Sequence, residues 1–88
     1  MRATVLLFAL AKERAGRPTL TVDLPDPATV ADLKSALAFA CPALGPLLPT
    51  LRIAVDAEYA GDDRAIAPGS ELAVIPPVSG GSSRYSHD

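Results

Sequence analysis

The chemically most informative pattern in this chain is the run Pro76-Pro77-Val78-Ser79-Gly80-Gly81 near its end. A paired glycine after an apolar strand can present a reactive carboxylate, because glycine lacks a Cβ atom and lets channel walls close on the backbone. The two prolines restrict φ and favour an extended conformation, so residues 76–81 could reach about 20 Å from a folded body. This pattern predicts a tether that carries a working group at Gly81 into the active site of a partner.

Residues 82–88 follow Gly81, so the carboxylate that this chemistry needs lies within a peptide bond in the chain as written. On composition alone, residues 78–83 are typical of a flexible linker, and that alternative stays open at this point. Either the tail is removed by a processing protease after Gly81, or the tail is permanent and the chain is a binding module.

The composition indicates one small domain with an aliphatic core. The chain has 88 residues, of which 49% are hydrophobic and only 5% aromatic. The net charge of -2 without a Lys/Arg cluster argues against nucleic acid as a partner, since phosphate neutralisation requires concentrated cations. Cys41 is the only cysteine, which excludes an internal disulfide, and no Cys/His cluster offers a metal site. We expect a cytoplasmic protein, because a reducing compartment suits a lone thiol.

The apolar N-terminus, residues 3–11, superficially resembles a signal peptide that ends in Ala9-Leu10-Ala11. The stretch is short for a secretory segment and contains Thr4, and it is too short to span a bilayer, which takes about 20 apolar residues. We therefore expect no membrane association and interpret this segment as the most hydrophobic strand of the domain.

Apolar periodicity then defines the main elements. Residues 2–10 are apolar on both faces, which predicts a central strand, and a polar turn at residues 12–14, which could be helical, ends at Gly16. Residues 19–24 alternate and predict a half-exposed strand, antiparallel to the first. Thr29 and Asp32 resemble a helix N-cap with a carboxylate in the first turn.

The remaining elements follow from the same patterns. Apolar residues then recur at helical spacing, which predicts a helix with one apolar stripe at Val30, Leu33, Leu37 and Ala40. Residues 41–49 contain three prolines and predict a connecting loop. Residues 51–56 alternate and predict a third strand with a polar outer face, Tyr59 and Ile66 flank a turn-rich stretch, and residues 71–75 predict a final apolar strand.

The order strand, strand, helix, strand, strand, with the first and last strands the most apolar, is typical of the α+β class. It predicts a β-grasp (ubiquitin-like) fold, a mixed sheet whose first and last strands are central neighbours, with one main helix packed across one face. We divide the chain into a β-grasp domain over residues 1–77, an extended Gly-Gly tether over residues 78–81, and a tail over residues 82–88.

With these motifs in place, the chain resembles the small, sulfur-carrying subunit of molybdopterin synthase over residues 2–81. The matching stretches are Val5-Leu6-Leu7-Phe8-Ala9, Lys12-Glu13 with Gly16, Thr29-Val30 with Leu33, Ala54-Val55, Gly69-Ser70-Glu71-Leu72 and Pro76-Pro77-Val78-Ser79-Gly80-Gly81. The last block is the most specific. Two local departures are Asp56, where many members carry Asn, and Val74-Ile75, where many carry aromatic residues.

The resemblance implies that Gly81, preceded by Gly80, provides the reacting terminus. An E1-like adenylating enzyme would activate it with ATP, and a sulfurtransferase would supply the sulfur for a thiocarboxylate. The large subunit of molybdopterin synthase, in a heterotetramer with this chain, would pass that sulfur to cyclic pyranopterin monophosphate in molybdenum cofactor biosynthesis. The chain would bind no cofactor itself and would not be a catalyst alone.

The resemblance also implies residues that contact the partner. Phe8 and Ile75 could belong to the core or to an apolar docking patch on the open face of the sheet, and burial alone would explain Phe8. The remaining expected contacts are Lys12, Glu13, Pro76, Pro77 and Val78. We expect Cys41 to be structural rather than reactive, and Tyr85 and His87 to lie in the removable tail.

Other functions remain open on the sequence. The same terminal glycine would serve a ubiquitin-like modifier joined to lysines of other proteins. A sulfur carrier could also serve another acceptor, in tRNA thiolation or sulfur amino acid synthesis.

Overall fold

The computed structural model describes residues 1–76 and has the predicted β-grasp architecture. This part of the chain contains seven strands, two α-helices and one 3₁₀ helix. In chain order they are β1 (Arg2–Leu7), α1 (Ala9–Ala15), β2 (Thr19–Asp23), β3 (Ala28–Thr29), α2 (Val30–Ala40), the 3₁₀ helix (Pro42–Thr50), β4 (Arg52–Val55), β5 (Glu58–Ala60), β6 (Ala65–Ile66) and β7 (Leu72–Ile75).

The first and last strands of the described chain are neighbours within a five-stranded sheet of order β2-β1-β7-β4-β5. β1 and β7 run parallel, with Val5 opposite Leu72 and Leu7 opposite Val74. β2 pairs antiparallel with β1, and β4 pairs antiparallel with β7. The prediction that the two most apolar strands lie side by side inside a mixed sheet is therefore confirmed.

One face of this sheet is buried against α2, and the core is aliphatic as the composition predicted. Alternate residues of each strand point into it, because successive side chains of a strand face opposite ways. The fully buried large side chains are Val5, Val30, Leu33, Leu37, Leu44, Ile53, Val55, Leu72 and Val74. Within residues 1–76, no helix covers the other face of this sheet, which we call the open face.

Helix α2 begins where the sequence predicted. Thr29 Oγ1 accepts a hydrogen bond from the Asp32 amide at 3.4 Å, and the Asp32 carboxylate accepts one from the Thr29 amide at 2.9 Å. This reciprocal capping box satisfies two amides of the first turn. The predicted apolar stripe is correct at three of its positions but wrong at Ala40, which is exposed because the helix ends there and its last residues extend past the buried core.

Three further features differ from the predictions. β1 ends at Leu7 rather than at residue 10, because the chain turns through Phe8 into α1, whose C-cap Gly16 adopts φ 76°. The predicted loop at 41–49 is a 3₁₀ helix of 9 residues, held by the fully buried Leu44. Pro42 stands at its first position, where an amide has no partner within the helix, whereas Pro46 and Pro49 lie inside it and offer no N–H.

The third difference is in the number and faces of the strands. The short strands β3 and β6 form a separate two-stranded sheet, and β5 adds an edge to the main one. Neither β3, β5 nor β6 was predicted, since two or three residues show no periodicity. The outer face predicted to be polar at residues 51–56 includes the buried Ala54.

Across residues 1–76, no helix has the length and apolar character required to cross a membrane.

Candidate docking face and tether root

The predicted tether begins at the end of the central strand β7. Ile75, the last residue of that strand, lies opposite Arg52 of β4, and Pro76 beyond it is buried. The Phe8 amide donates a hydrogen bond to the Val74 carbonyl at 3.3 Å, so the chain leaves β7 beside the start of α1. We call this end of the sheet the tether root.

The remaining predicted tether residues, Pro77, Val78, Gly80 and Gly81, lie outside the described residues, as does the tail at 82–88. The roles assigned to them, and the partner contact of the buried Pro76, therefore stay predictions.

The open face of the sheet contains an apolar groove that runs toward the tether root. The groove encloses about 280 Å³ and is lined by Leu6, Phe8, Ala54, Ala57, Tyr59, Glu71, Ala73 and Ile75. The sequence left open whether Phe8 was core or part of a docking patch. The structure places it in the groove together with Ile75, with 47% of Phe8 exposed. Large apolar side chains gathered on a sheet face that no helix covers are typical of a protein interaction surface.

Tyr59 is the most exposed large apolar side chain of the groove, and its place there was not predicted from the sequence. It lies on β5, opposite Ala54, and is 62% exposed. The Arg52 guanidinium lies 5.2 Å from the centre of its ring, a cation–π contact that orients the arginine over the open face. The sequence signal for this strand is the pair Asp56-Ala57, which forms a two-residue hairpin turn and makes β5 pair antiparallel with β4.

That connection is built from two residues with positive φ, Asp56 at 52° and Ala57 at 70°. Both residues of a type I′ hairpin turn require this conformation, which asparagine and aspartate adopt more readily than other residues with side chains. The Asp56 amide donates to the Glu71 carbonyl at 2.8 Å, and the Asp56 carboxylate accepts from the Glu71 amide at 2.9 Å. The hairpin is thus fastened to the start of β7 at the end of the groove remote from the tether root.

Lys12 and Glu13 lie on α1 and outside the groove. They line a separate shallow cavity of about 420 Å³, together with Ala9, Gly16, Arg17 and Pro18. The ion pairs within residues 1–76 are Arg2–Asp23, Lys34–Asp62 and Arg64–Glu58, so neither Lys12 nor Glu13 takes part in one there. The structure therefore brings Phe8 and Ile75 together but leaves Lys12 and Glu13 exposed on α1, outside the groove.

Cys41 caps the C-terminal end of α2, where its amide donates to the Leu37 carbonyl at 2.8 Å. It is half-buried against the core, as expected for a structural cysteine. In the part of the chain that the structure describes, no three His, Cys, Asp or Glu side chains come together to hold a metal ion.

Comparison with known proteins adds to this geometry. A family model described as the ThiS family matches residues 5–81, from the middle of β1 to the second glycine. The chain belongs to the ThiS family. This ThiS-family chain is 40% identical over 83 residues to the "Molybdopterin synthase sulfur carrier subunit" of Chlamydomonas reinhardtii, a match that covers 92% of the chain and 100% of the relative. The predicted resemblance is therefore confirmed.

The ThiS-family chain is also similar to solved structures. It superposes on the crystal structure of SAMP1 from Haloferax volcanii with a TM-score of 0.81 and 37% identity, covering 92% of the chain and 100% of that structure. A complex of subunits 1 and 2 of molybdopterin-converting factor from Helicobacter pylori matches with a TM-score of 0.66 and covers 92% of the chain and 100% of the matched one. At 17% identity, that second match establishes the fold alone.

Proposed function

We propose that this chain is the sulfur-carrier subunit of a molybdopterin synthase and that its working group is the carboxylate of Gly81, freed by removal of residues 82–88. The observation that carries the proposal is the 40% identity to an algal sulfur-carrier subunit over that relative's whole length. The family match ends at residue 81, at the glycine to which we assign the chemistry.

The proposed chemistry begins with activation, because a free carboxylate is a poor electrophile. A Gly81 carboxylate oxygen attacks the α-phosphorus of ATP on an E1-like adenylating enzyme, and pyrophosphate leaves. A persulfide on a sulfurtransferase then attacks the carbonyl carbon and displaces AMP, and a thiol cleaves the resulting acyl disulfide, which yields the thiocarboxylate and a disulfide. In the large subunit the thiocarboxylate sulfur attacks cyclic pyranopterin monophosphate, and water then breaks the bond between sulfur and the Gly81 carbonyl carbon, so that Gly81 regains its carboxylate. The chain itself binds no cofactor.

The folded body contributes recognition rather than catalysis in this scheme. The groove with Phe8 and Tyr59 offers apolar contact area, and Arg52 adds a charge at the tether root. Aromatic and arginine side chains are the types that dominate protein interfaces. We assign the groove to the large subunit, within a heterotetramer, and assign Lys12 and Glu13 to the edge of the same interface. The contact would take place in the cytoplasm, without nucleic acid or membrane.

The decisive test is genetic complementation of a strain that lacks the small synthase subunit. A chain ending at Gly81 should restore molybdenum cofactor synthesis, whereas a Gly81-deleted chain should not. Intact-mass analysis of protein from the native host should find a species ending at Gly81, part of it with one oxygen replaced by sulfur. If only the full-length chain is present while the cofactor is being made, the proposal is wrong.

A second candidate function is protein modification, which the similarity to a small archaeal modifier protein favours. That relative, from Haloferax volcanii, is 42% identical over 83 residues. In this role the activated Gly81 carbonyl would be attacked by a lysine amine, which yields an isopeptide instead of a thiocarboxylate. Lysine-linked conjugates in cell extract, absent from cells with the Gly81-deleted chain, would establish it. Sulfur delivery to tRNA or to a sulfur amino acid is the alternative if thiocarboxylate forms but cofactor synthesis does not depend on it.

A further inference from the structure

We propose that strand β2 is a self-association edge, on which a second copy of this chain pairs antiparallel so that the two five-stranded sheets join into one. β2 is the outer strand of the main sheet, and within residues 1–76 it pairs with β1 alone. The inference goes beyond the proposed function and does not depend on it, since it concerns the edge of the folded body and not the chemistry at Gly81.

The outer edge of β2 carries backbone groups that can form a second ladder. The Leu24 amide donates to the Met1 carbonyl at 2.6 Å, so residue 24 faces β1. Because the backbone groups of an antiparallel strand alternate in direction, the even-numbered residues of β2 face β1 and the odd-numbered ones face outward. The N–H and C=O groups of Thr19, Thr21 and Asp23 thus point away from the sheet, and no strand within residues 1–76 pairs with them. We call these groups the free edge.

The free edge lacks the features that normally keep edge strands from pairing. Such strands are commonly protected by proline, lysine, a bulge or very short length. β2 has no proline, lysine or bulge in its five residues, whereas β5 at the opposite edge of the sheet has only three residues. Pro18 and Pro25 flank β2 and limit the free edge to the residues between them. The edge therefore fits one short strand with a defined beginning and end.

The free edge is self-complementary, which identifies its occupant as a second copy of the chain. Its three outward-facing residues are centred on Thr21. An antiparallel copy therefore places Thr21 opposite its own equivalent and Thr19 opposite Asp23. Each of the three opposed pairs can exchange two hydrogen bonds, because both members carry outward-facing groups. A symmetric contact of this kind closes after two copies and does not grow into a fibre.

The charges at the two ends of β2 favour this antiparallel arrangement. Arg17 precedes the strand and Asp23 ends it, and both are exposed. In the antiparallel pair, Arg17 of each copy lies diagonal to Asp23 of the other, within reach of a long side chain. A parallel copy would bring like charges together. The exposed contact with Arg2, at 3.5 Å, engages Oδ1 of Asp23, which leaves Oδ2 for the second copy.

The free edge and the groove can be occupied together. No residue of β2 lines the groove, and β1 and β7 separate the free edge from Tyr59 on β5. Directly opposed residues of paired strands point to the same side of a sheet, so both open faces lie on one side of the joined sheet. The dimer therefore presents two uncovered grooves.

The test is sedimentation equilibrium of the purified full-length chain at low salt, at concentrations up to about 1 mM, the weak end of protein association. The weight-average mass of the wild type should rise with concentration from 9.1 kDa toward twice that value. Arg17→Asp alone and Asp23→Arg alone each place like charges at both diagonal pairs, so each should dimerise about tenfold more weakly. An equimolar mixture of the two variants restores opposite charges at both pairs and should dimerise as the wild type does.

A second pair of variants tests the backbone contact itself. Thr21→Pro removes the outward N–H at the centre of the free edge and keeps the bonds to β1, so this variant should stay monomeric. Thr21→Val keeps that N–H and is the matched control, which should dimerise normally. Circular dichroism shows whether Thr21→Pro is folded, and if it is not, the mixture of charge variants decides.

Several outcomes would overturn the inference. These are a wild-type chain that stays monomeric throughout, a mixture of charge variants that dimerises no better than its two components, or a folded Thr21→Pro variant that still dimerises. A dimer that Phe8→Asp abolishes and the charge substitutions leave intact would also overturn it, because the contact would then lie in the groove.

Discussion

Asp56 and Glu71 are joined by a reciprocal pair of hydrogen bonds, in which the Asp56 amide donates to the Glu71 carbonyl and the Glu71 amide donates to the Asp56 carboxylate. The first bond is 2.8 Å long and the second 2.9 Å. This pair connects the β4–β5 hairpin to the start of β7, so it holds Ala57 and Tyr59 beside the strand that leads to the tether. The side chain that accepts the second bond needs one oxygen and no charge.

We therefore expect Asp56→Asn to leave the free energy of unfolding nearly unchanged, since an amide oxygen can accept the same bond. Asp56→Ala removes the acceptor and should lower that free energy by about 1 kcal/mol. Urea unfolding of both variants beside the wild type measures the difference. Equal losses in the two variants would mean that the charge of Asp56, and not its oxygen, stabilises the hairpin.

Ala57 is held at φ 70°, a conformation that costs a residue with a Cβ atom more than glycine. Ala57→Gly should accordingly raise the free energy of unfolding by about 0.5–1 kcal/mol. The control is Ala67→Gly, at an exposed position with ordinary φ, where the added freedom of the unfolded chain should lower stability instead. Thermal unfolding of both variants shows whether each one gains or loses stability. A loss of stability in Ala57→Gly would contradict the strain argument.

Leu44 anchors the 3₁₀ helix with a fully buried side chain. Leu44→Ala should lower the free energy of unfolding by about 3 kcal/mol, because it removes buried methyl groups and leaves a cavity. Leu47→Ala in the same helix, at a half-buried position, should cost about 1 kcal/mol. Chemical denaturation distinguishes them, and similar losses would show that Leu44 is not the main anchor.

Tyr59 should matter for binding more than for folding, because most of its side chain is exposed. Under the proposed function, Tyr59→Ala should weaken binding of the large synthase subunit about tenfold, whereas Tyr59→Phe keeps the ring and the contact with Arg52 and should bind normally. Isothermal titration calorimetry with the purified large subunit measures both. Phe39→Ala is the control for loss of an exposed aromatic elsewhere, and normal binding by Tyr59→Ala would remove Tyr59 from the interface.

The main strands and α2 were predictable because each repeats its apolar pattern over several residues. Val5 and Leu7 face the core by simple alternation, and Thr29 and Asp32 mark the helix start with a pair of side chains that can bond to each other's backbone. The sequence did not decide whether Phe8 belongs to the core or to the open face, since the segment around it is apolar on both faces. Only the packing of α2 on one side of the sheet decides which face stays open.

The elements that were missed depend on contacts between distant residues. Tyr59 lies on a strand of three residues, which is defined by its pairing with β4 and by the turn at Asp56 and Ala57. The 3₁₀ helix at 42–50 was missed because proline content argues against regular structure, while the burial of Leu44 against α2 is invisible in the local sequence. The chemistry at Gly81 was inferred from sequence and lies outside the described residues.

The position of β7 between β1 and β4 has a mechanical consequence. A force applied to the tether acts along β7 and loads the hydrogen bonds to both neighbouring strands in shear, so that many must break together before the strand moves. A partner that holds the terminus in its active site can thus be separated from it by movement of the whole body, without local unfolding. We expect the sheet to stay folded when the chain dissociates after sulfur transfer, so that the same chain can be activated again.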